Sequence, residues 1–173
     1  MKLKNLIEMI NTAQYEDFAD EYKKLLGYEK NTEFYIAHAD TASLIDYLNT
    51  KFNFKLDSSY VAFMKDSNGC KLDDSFIFSF KHEEQDKDVL FVNFDKTTRK
   101  NLEVSDSAFV AGKYQSAAIV YDKASIIYED EDEEGYAWGI YSHKYHTYLE
   151  TFDNFLELLA SLINDRIKFF KED

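Results

Sequence analysis

The hydrophobic pattern of this chain changes period twice, and the order of these changes limits the folds open to it. Between residues 75 and 150, short segments rich in β-branched and aromatic side chains alternate with charged or turn residues. Before and after this region, apolar residues recur at the spacing of amphipathic helices. We therefore predict an α+β fold with N-terminal helices, a mainly antiparallel β-sheet and a C-terminal helix packed on the sheet.

The middle of the chain is predicted to supply the strands, because its segments are short and bounded by turn or charged residues. Asp122-Lys123 is predicted to form a tight hairpin. The segments at 81–88 and 95–106 are polar and are predicted to be exposed connections. The predicted strands are SFIFSF (75–80), VLFVNF (89–94), AFVAG (108–112), AAIVYD (117–122), ASIIYE (124–129), YAWGIYS (136–142) and YHTYLE (145–150).

Both ends of the chain are predicted to be helical. The first segment forms one bent helix or two short helices that end at Gly27. A second helix begins near Asp40 or Thr41, either of which can cap it. A last helix is capped by Thr151. The second helix has the apolar stripe Leu44, Ile45, Leu48 and Phe52. The last helix has the stripe Phe152, Phe155, Leu156, Leu159, Ile163, Ile167 and Phe170.

The stretch KLDSSYVAFMKDSNGC (55–70) reads as a short helix with a clear start and end. Asp57 and the two serines after it can accept the free amides of its first turn. Asn68-Gly69 supplies a left-handed residue to end it. Nothing in this stretch resembles a catalytic device, so we predict that its role is architectural. The apolar face consists of Leu56, Tyr60, Phe63 and Met64.

Charge is the strongest global signal in the sequence. Thirty-three acidic residues against twenty basic ones give the 173-residue chain a net charge of −13. Such a charge argues against nucleic acid and anionic membranes as partners and favours a basic protein. The alternative is that the acidity only keeps the protein soluble. The length predicts one domain over residues 1–173, with residues 1–30 as an N-terminal helical extension.

The sequence predicts neither catalysis nor a cofactor. Cys70 is the only cysteine, so no internal disulfide can form. The first residues lack the features of a signal peptide and no stretch approaches eighteen apolar residues, which favours the cytoplasm. His143 and His146 would face opposite sides of a strand, so no metal site is predicted. The five glycines match no nucleotide-binding fingerprint.

A run of six carboxylates, EDEDEE (129–134), is the candidate surface for a basic partner. Acidic groups accelerate the encounter with such a partner, and aromatic neighbours hold the complex. The alternative is an exposed, solvated loop. Aromatic residues on the neighbouring strands suit either a protein or a sugar. The predicted partner-binding residues are Tyr128, Glu129, Asp130, Glu131, Asp132, Glu133, Glu134, Tyr136 and Trp138.

Residues of the 55–70 stretch also carry a resemblance to a known family. The chain resembles the SUKH superfamily, whose bacterial members are largely immunity proteins that neutralise polymorphic toxins, and which includes a fungal regulator of cell-wall synthesis. The similarity covers about residues 40–69 and 117–160. It departs at Leu56-Asp57, where the family commonly has Leu-Pro. The matching residues are Leu56, Tyr60, Phe63, Met64, Asn68 and Gly69, with Phe152, Phe155 and Leu156 nearer the C-terminus.

The resemblance implies a non-enzymatic immunity protein that binds and blocks a bacterial toxin by occlusion. The alternative is a regulatory or scaffold module of the fungal type, without a toxin partner. A third candidate, a small hydrolase, would need a deep pocket with converging polar groups.

Overall fold

A single antiparallel sheet organises the described part of the chain. The computed structural model describes residues 1–13 and 32–171, with side chains described up to residue 165. The expected helix end at Gly27 lies outside the described residues. Each strand pairs with the next one in sequence, in the order β1 to β7. The strands are β1 (Thr32–Phe34), β2 (Cys70–Leu72), β3 (Ser75–Ile77), β4 (Phe109–Tyr114), β5 (Ala117–Lys123), β6 (Tyr136–Ser142) and β7 (Thr147–Phe152).

Seven α-helices accompany these strands in the described ranges, together with a 3₁₀ turn at Gln85–Lys87. The fold is therefore α+β, with the C-terminal helix packed against β6 and β7. The helices are α1 (Leu3–Thr12), α2 (Thr41–Phe52), α3 (Ser58–Asp66), α4 (Val89–Phe94), α5 (Lys96–Leu102), α6 (Ala124–Ile127) and α7 (Phe155–Lys171).

Aromatic residues form the centre of the core. The Tyr60 ring lies 5.0 Å from Phe155 and 5.4 Å from Trp138, measured between ring centroids. Phe109 from β4 packs edge-on against Tyr60. Large rings from a helix, two strands and the C-terminal helix thus meet in one place, where aromatic pairs add stability beyond the area that they bury. Leu3, Leu6, Ile7 and Ile10 of α1 belong to the same buried cluster.

The 55–70 stretch has the predicted architectural geometry. Tyr60, Phe63 and Met64 are each fully buried, and Gly69 has a φ of +85°, so these predictions are confirmed. Gly69 does not end α3, however, because the helix stops at Asp66 and Ser67 is extended. A Cβ at Gly69 would lie 2.5 Å from the carbonyl oxygen of Ile77. Glycine is therefore required for the close approach of β3 as well as for the backbone angle.

Asp57 joins three elements through one carboxylate. Its Oδ1 accepts the backbone N–H of Ser59 at 2.9 Å, which caps α3. Its Oδ2 accepts the indole N–H of Trp138 at 2.9 Å and the backbone N–H of Phe155 at 2.6 Å. The same side chain therefore fixes the starts of α3 and α7 and the ring of Trp138 in β6.

Two predicted strands are helices. Residues 89–94 form α4, capped by Asp88, whose Oδ1 accepts the N–H of Phe91 at 2.9 Å. Its buried positions Val89, Val92 and Asn93 have helical spacing, a signal that six residues are too short to reveal. The other wrong prediction is the strand at 124–129, where residues Ala124–Ile127 form α6.

Several local predictions at connections are also wrong. Lys123 ends β5, so no hairpin forms at Asp122-Lys123; β4 and β5 are instead joined at Gln115-Ser116, where Gln115 has positive φ. The predicted connection 95–106 contains the polar helix α5, capped by Asp95. An exposed polar helix lacks the apolar stripe that would reveal it in the sequence.

The predicted caps of α2 and α7 are wrong as well. Neither Asp40 nor Thr41 accepts an amide of the α2 first turn through its side chain; the Asp40 carboxylate contacts Lys81 Nζ at 2.8 Å instead. Thr151 lies in β7, and Asn154 Oδ1 accepts the N–H of Glu157 at 3.1 Å to cap α7. The strand continues two residues beyond the predicted end at residue 150.

Replacement of Asp57 by alanine is expected to destabilise the fold by about 3–5 kcal/mol. The substitution removes a helix cap and leaves the donors of Trp138 and Phe155 without an acceptor. Urea unfolding followed by the fluorescence of Trp138 measures the change, with Ser58→Ala as the control because Ser58 is an exposed neighbour. A loss below about 1 kcal/mol would contradict the joining role of Asp57.

Replacement of Tyr60 by phenylalanine is expected to leave stability unchanged or to raise it by about 1 kcal/mol, since the Tyr60 hydroxyl is buried without a hydrogen-bond partner in the described structure. Burial also raises the pKa of Tyr60 above its ordinary value. Phe63→Ala should instead cost about 3–5 kcal/mol through the cavity that it leaves. Chemical denaturation of both variants tests the contrast, and a destabilised Tyr60→Phe protein would show that the hydroxyl has a partner.

Candidate partner-binding surface

The acidic run lies in the loop between α6 and β6, and the structure fixes both ends of that loop. At its start, the Tyr128 hydroxyl donates to Asp153 Oδ1 at 2.8 Å. At its end, the Ala124 N–H donates to the Gly135 carbonyl at 2.9 Å. Inside the loop, Asp130 Oδ1 accepts the N–H of Asp132 at 3.0 Å. The backbone of the loop is therefore fixed at both of its ends, next to α6 and next to β6.

All six side chains of the run, residues 129–134, are exposed. Among the described residues, none of their carboxylates has a Lys, Arg or His nitrogen within 4.0 Å. Because these carboxylates have no counter-ion there, their negative charge is not compensated locally. This part of the surface is therefore able to attract a cationic partner over a distance set by the ionic strength.

The acidic surface extends beyond the run to the start of α7. Burial raises the pKa of Tyr128, and its hydrogen bond with Asp153 and the charges of Asp153, Glu157 and Glu133 raise it further. The carboxylates of Asp153, Glu157 and Glu133 therefore all lie near the Tyr128 hydroxyl. Tyr128 thus lies within the acidic surface, half-buried, as the sequence analysis predicted for an aromatic residue at its edge.

The other two predicted aromatic residues differ in accessibility. Tyr136 is half-buried, and its ring stacks on Tyr121 with centroids 5.3 Å apart. Trp138 is fully buried, with 0% of its surface exposed. Trp138 therefore cannot contact a partner and is removed from the candidate surface. Its strand position faces the helices, because β6 residues two apart share a face.

The five aromatic residues of β6, β7 and their turn do not share one exposed face. Tyr136 and Trp138 lie on the face with Tyr121, whereas Tyr141 and Tyr148 pack against each other, centroids 5.3 Å apart, on the opposite face. Tyr148 covers Gly139, where a Cβ would lie 2.6 Å from its ring. Tyr145 is 65% exposed in the hairpin turn. A continuous aromatic platform of the kind that binds sugars is therefore not formed by these residues.

The histidines and the cysteine occupy separate places. His143 and His146 are exposed in the β6–β7 turn, where His146 Nδ1 lies 3.5 Å from Glu103. Cys70 is buried at the start of β2. In the parts of the chain that the structure describes, no group of three or more His, Cys, Asp or Glu side chains is placed to hold a metal ion.

A polar cleft that the sequence did not reveal opens beside β1 and the segment after β3. It has a volume of about 430 Å³ and brings together residues almost fifty positions apart in sequence, such as Glu33, Tyr35, Ser79 and His82. No spacing rule links these residues along the chain. Only the pairing of β1 with β2 and of β2 with β3 makes them neighbours.

No family model matches this chain, and no curated protein matches it significantly. Over the described residues, the structure has no helix long and apolar enough to cross a bilayer. The function of this chain is therefore inferred from the geometry of its surfaces and from the sequence resemblance.

Alkaline titration is expected to separate the tyrosines of this protein into two groups. Burial is the main cause that raises the pKa of Tyr114 and of Tyr121 to about 12 each. A folded-state pKa above that of the unfolded chain means that the stabilisation is complete below about pH 10 and is lost as the pH rises towards 12. The fold should therefore become less stable across that interval.

Tyrosinate absorbance during a pH titration checks this expectation. The late-ionising group should disappear in urea, where all tyrosines are solvated, and Tyr121→Phe should remove one tyrosine from it. The replacement of Tyr145 by phenylalanine provides the control, since it removes a phenol that is 65% exposed. A single transition near pH 10 in the folded protein would contradict the burial of these phenols.

Proposed function

We propose that this chain is a non-enzymatic, cytoplasmic immunity protein of the SUKH type, which binds a basic toxin domain and blocks it by occlusion. The observation that supports this proposal best is the exposed run at residues 129–134, whose six carboxylates have no cationic partner among the described residues. A toxin that acts on nucleic acid or another polyanion presents cationic groups around its active site. An acidic surface of matching size can cover them.

The fixed loop ends favour tight binding. A loop that is already shaped loses less conformational entropy when a partner orders it. Two hydrogen bonds hold the run close to β5 and β6. One joins Tyr128 and Asp153 at 2.8 Å, and the other joins Ala124 and Gly135 at 2.9 Å. The run is therefore better suited to a stoichiometric interface than an unattached acidic tail would be.

Tyr128 and Tyr136 are the candidate anchors of the complex. Both are half-buried and lie at the two ends of the acidic run. Half-buried tyrosines present a rigid ring to a partner at a low entropic cost, and binding hot spots are enriched in them. Occlusion of this kind requires only a stable complementary surface, in keeping with the absence of a catalytic signature in the sequence.

The first test asks whether the product of the neighbouring gene co-purifies with this chain and is therefore its partner. Co-expression of this chain should restore the growth of cells that produce that partner, and the complex should inhibit the partner's activity. A partner that binds but is harmless to cells would favour the regulatory or scaffold alternative instead.

Neutralisation of Glu131, Asp132, Glu133 and Glu134 to the matching amides is expected to slow association by about ten-fold at low salt. It should also weaken the dependence of the association rate on salt, because charges at an interface rim act mainly on k_on. The dissociation rate should change less. Surface binding kinetics at two salt concentrations measure both rates.

The matched control carries the same change in net charge at another place. Asp46→Asn, Asp74→Asn, Asp86→Asn and Glu103→Gln together also remove four exposed carboxylates. This variant should associate at close to the wild-type rate. If both variants are slowed equally, then overall charge and not the run accounts for the attraction; if neither is slowed, the partner surface lies elsewhere.

Truncation of an anchor should act on dissociation. Tyr128→Ala is expected to raise k_off by about 30-fold or more, equivalent to about 2 kcal/mol, the threshold of a hot spot. Tyr136→Ala tests the second anchor, and urea denaturation of each variant shows whether it is still folded. Unchanged k_off values in folded variants would exclude both tyrosines as anchors.

A further inference from the structure

The polar cleft lies at the same end of the sheet as the acidic run. In an antiparallel meander, odd-numbered strands all finish at one end of the sheet. Tyr35 follows β1, Ser79 follows β3 and the acidic run follows β5 by way of α6. Only β4 lies between β3 and β5, so these two strand ends are about 10 Å apart at the usual strand spacing, within the width of one protein interface.

The floor of the cleft contains an unused polar group. Ser79 is 2% exposed, and its hydroxyl has no hydrogen-bond partner among the residues that the structure describes. Its backbone is already engaged: the N–H donates to Lys87 O at 3.0 Å and the carbonyl accepts from Val89 N at 2.9 Å. Buried hydroxyls in native proteins are normally paired, so this one points to a ligand that completes it.

The wall of the cleft is aromatic and held in place. The rings of Tyr35 and His82 meet edge to face, with centroids 5.2 Å apart. His82 Nδ1 accepts the backbone N–H of Glu84 at 3.0 Å, and the backbone N–H of His82 donates to Asp88 Oδ2 at 2.9 Å. The ring of His82 is therefore oriented by its own loop, and Tyr35 is supported against it.

The remaining charge in the cleft is negative. Of the described residues that line the cleft, one is a lysine: Lys81 lies 2.8 Å from Asp40. Glu84 is paired with Lys87. Glu33 and Glu83 have no cationic nitrogen within 4.0 Å among the described residues. Burial is the main cause that raises the pKa of Tyr35, and the negative charge of Glu33, which lines the same cleft, raises it further.

We propose that this cleft binds a guanidinium group, held by the Glu33 carboxylate, the aromatic wall of Tyr35 and His82, and the Ser79 hydroxyl. Guanidinium is planar, weakly hydrated and able to donate several hydrogen bonds while it stacks on an aromatic ring. These properties match a carboxylate, aromatic rings and a buried hydroxyl in the lining of one cleft. That the group belongs to an arginine of the partner rests on the proposed function, whereas binding of the group itself does not.

N-acetyl-arginine amide, titrated into the full chain and followed by NMR, provides the direct test. Its addition should shift the resonances of Tyr35, His82 and Ser79 in a saturable manner. The citrulline analogue, which has the same shape but no charge, should bind at least ten-fold more weakly. Equal binding of both compounds, or shifts spread over the whole acidic surface, would overturn the proposal.

Variants separate a binding role from a structural one. Glu33→Gln should weaken arginine-amide binding about ten-fold, whereas the matched control Glu103→Gln, at an exposed carboxylate after α5, should leave it unchanged. Ser79→Ala should weaken binding at least three-fold while the urea midpoint stays the same or rises, because the substitution removes a buried hydroxyl without a partner. Unaltered binding in both cleft variants would overturn the proposal.

The same variants distinguish failure of this inference from failure of the proposed function. If the partner binds with the expected salt dependence but arginine amide does not bind at the cleft, only the inference is wrong. If arginine amide binds at the cleft and no basic partner depends on the acidic run, the guanidinium site remains and the proposed function is wrong. Glu33→Gln should slow neither the folding nor the early electrostatic encounter, and should raise the partner's k_off.

Discussion

The carboxylate of Asp57 is the interaction on which the rest of this structure depends. It accepts hydrogen bonds from Ser59 at the start of α3, from the Trp138 indole in β6 and from the backbone of Phe155 at the start of α7. Both helix starts present positive partial charge, which a carboxylate stabilises. A proline at this position would start α3 but would leave the other two donors without this acceptor.

The geometry of the candidate surface follows from that junction. Phe155 begins α7, and Asp153, two residues earlier, holds Tyr128 through a bond of 2.8 Å. Tyr128 in turn starts the acidic run. The position of α7 therefore sets the position of the loop, and the buried ring of Trp138 supports the strand at which the loop ends. The position of the acidic run therefore depends on the contacts that Asp57 makes in the core.

Two buried asparagines complete the sheet where strand pairing stops. Asn68 bonds both the N–H and the carbonyl of Phe80, each at 2.9 Å. Asn93 does the same for Val110, each at 2.8 Å, and Arg99 reinforces the region by donating to the carbonyls of Ser105 and Ala108. These side chains satisfy backbone groups that would otherwise be buried unpaired. Asn68 and Phe80 both line the cleft, so the first of these pairs also fixes its shape.

The sequence by itself determined the helices whose apolar residues repeat over two turns or more, and the strands that are short, bounded and rich in β-branched and aromatic residues. The helices α2, α3 and α7, the strands β4 to β7 and the burial of Tyr60, Phe63 and Met64 follow from these two patterns. Tertiary structure decided the short segments 89–94 and 124–127, because four to six apolar residues fit a helix and a strand equally well until a cap and neighbours select one. It also decided that Trp138 is core, and it assembled the cleft from Glu33, Tyr35, Ser79 and His82. Which strands become neighbours depends on packing across the whole sheet, and no local pattern in the chain records it.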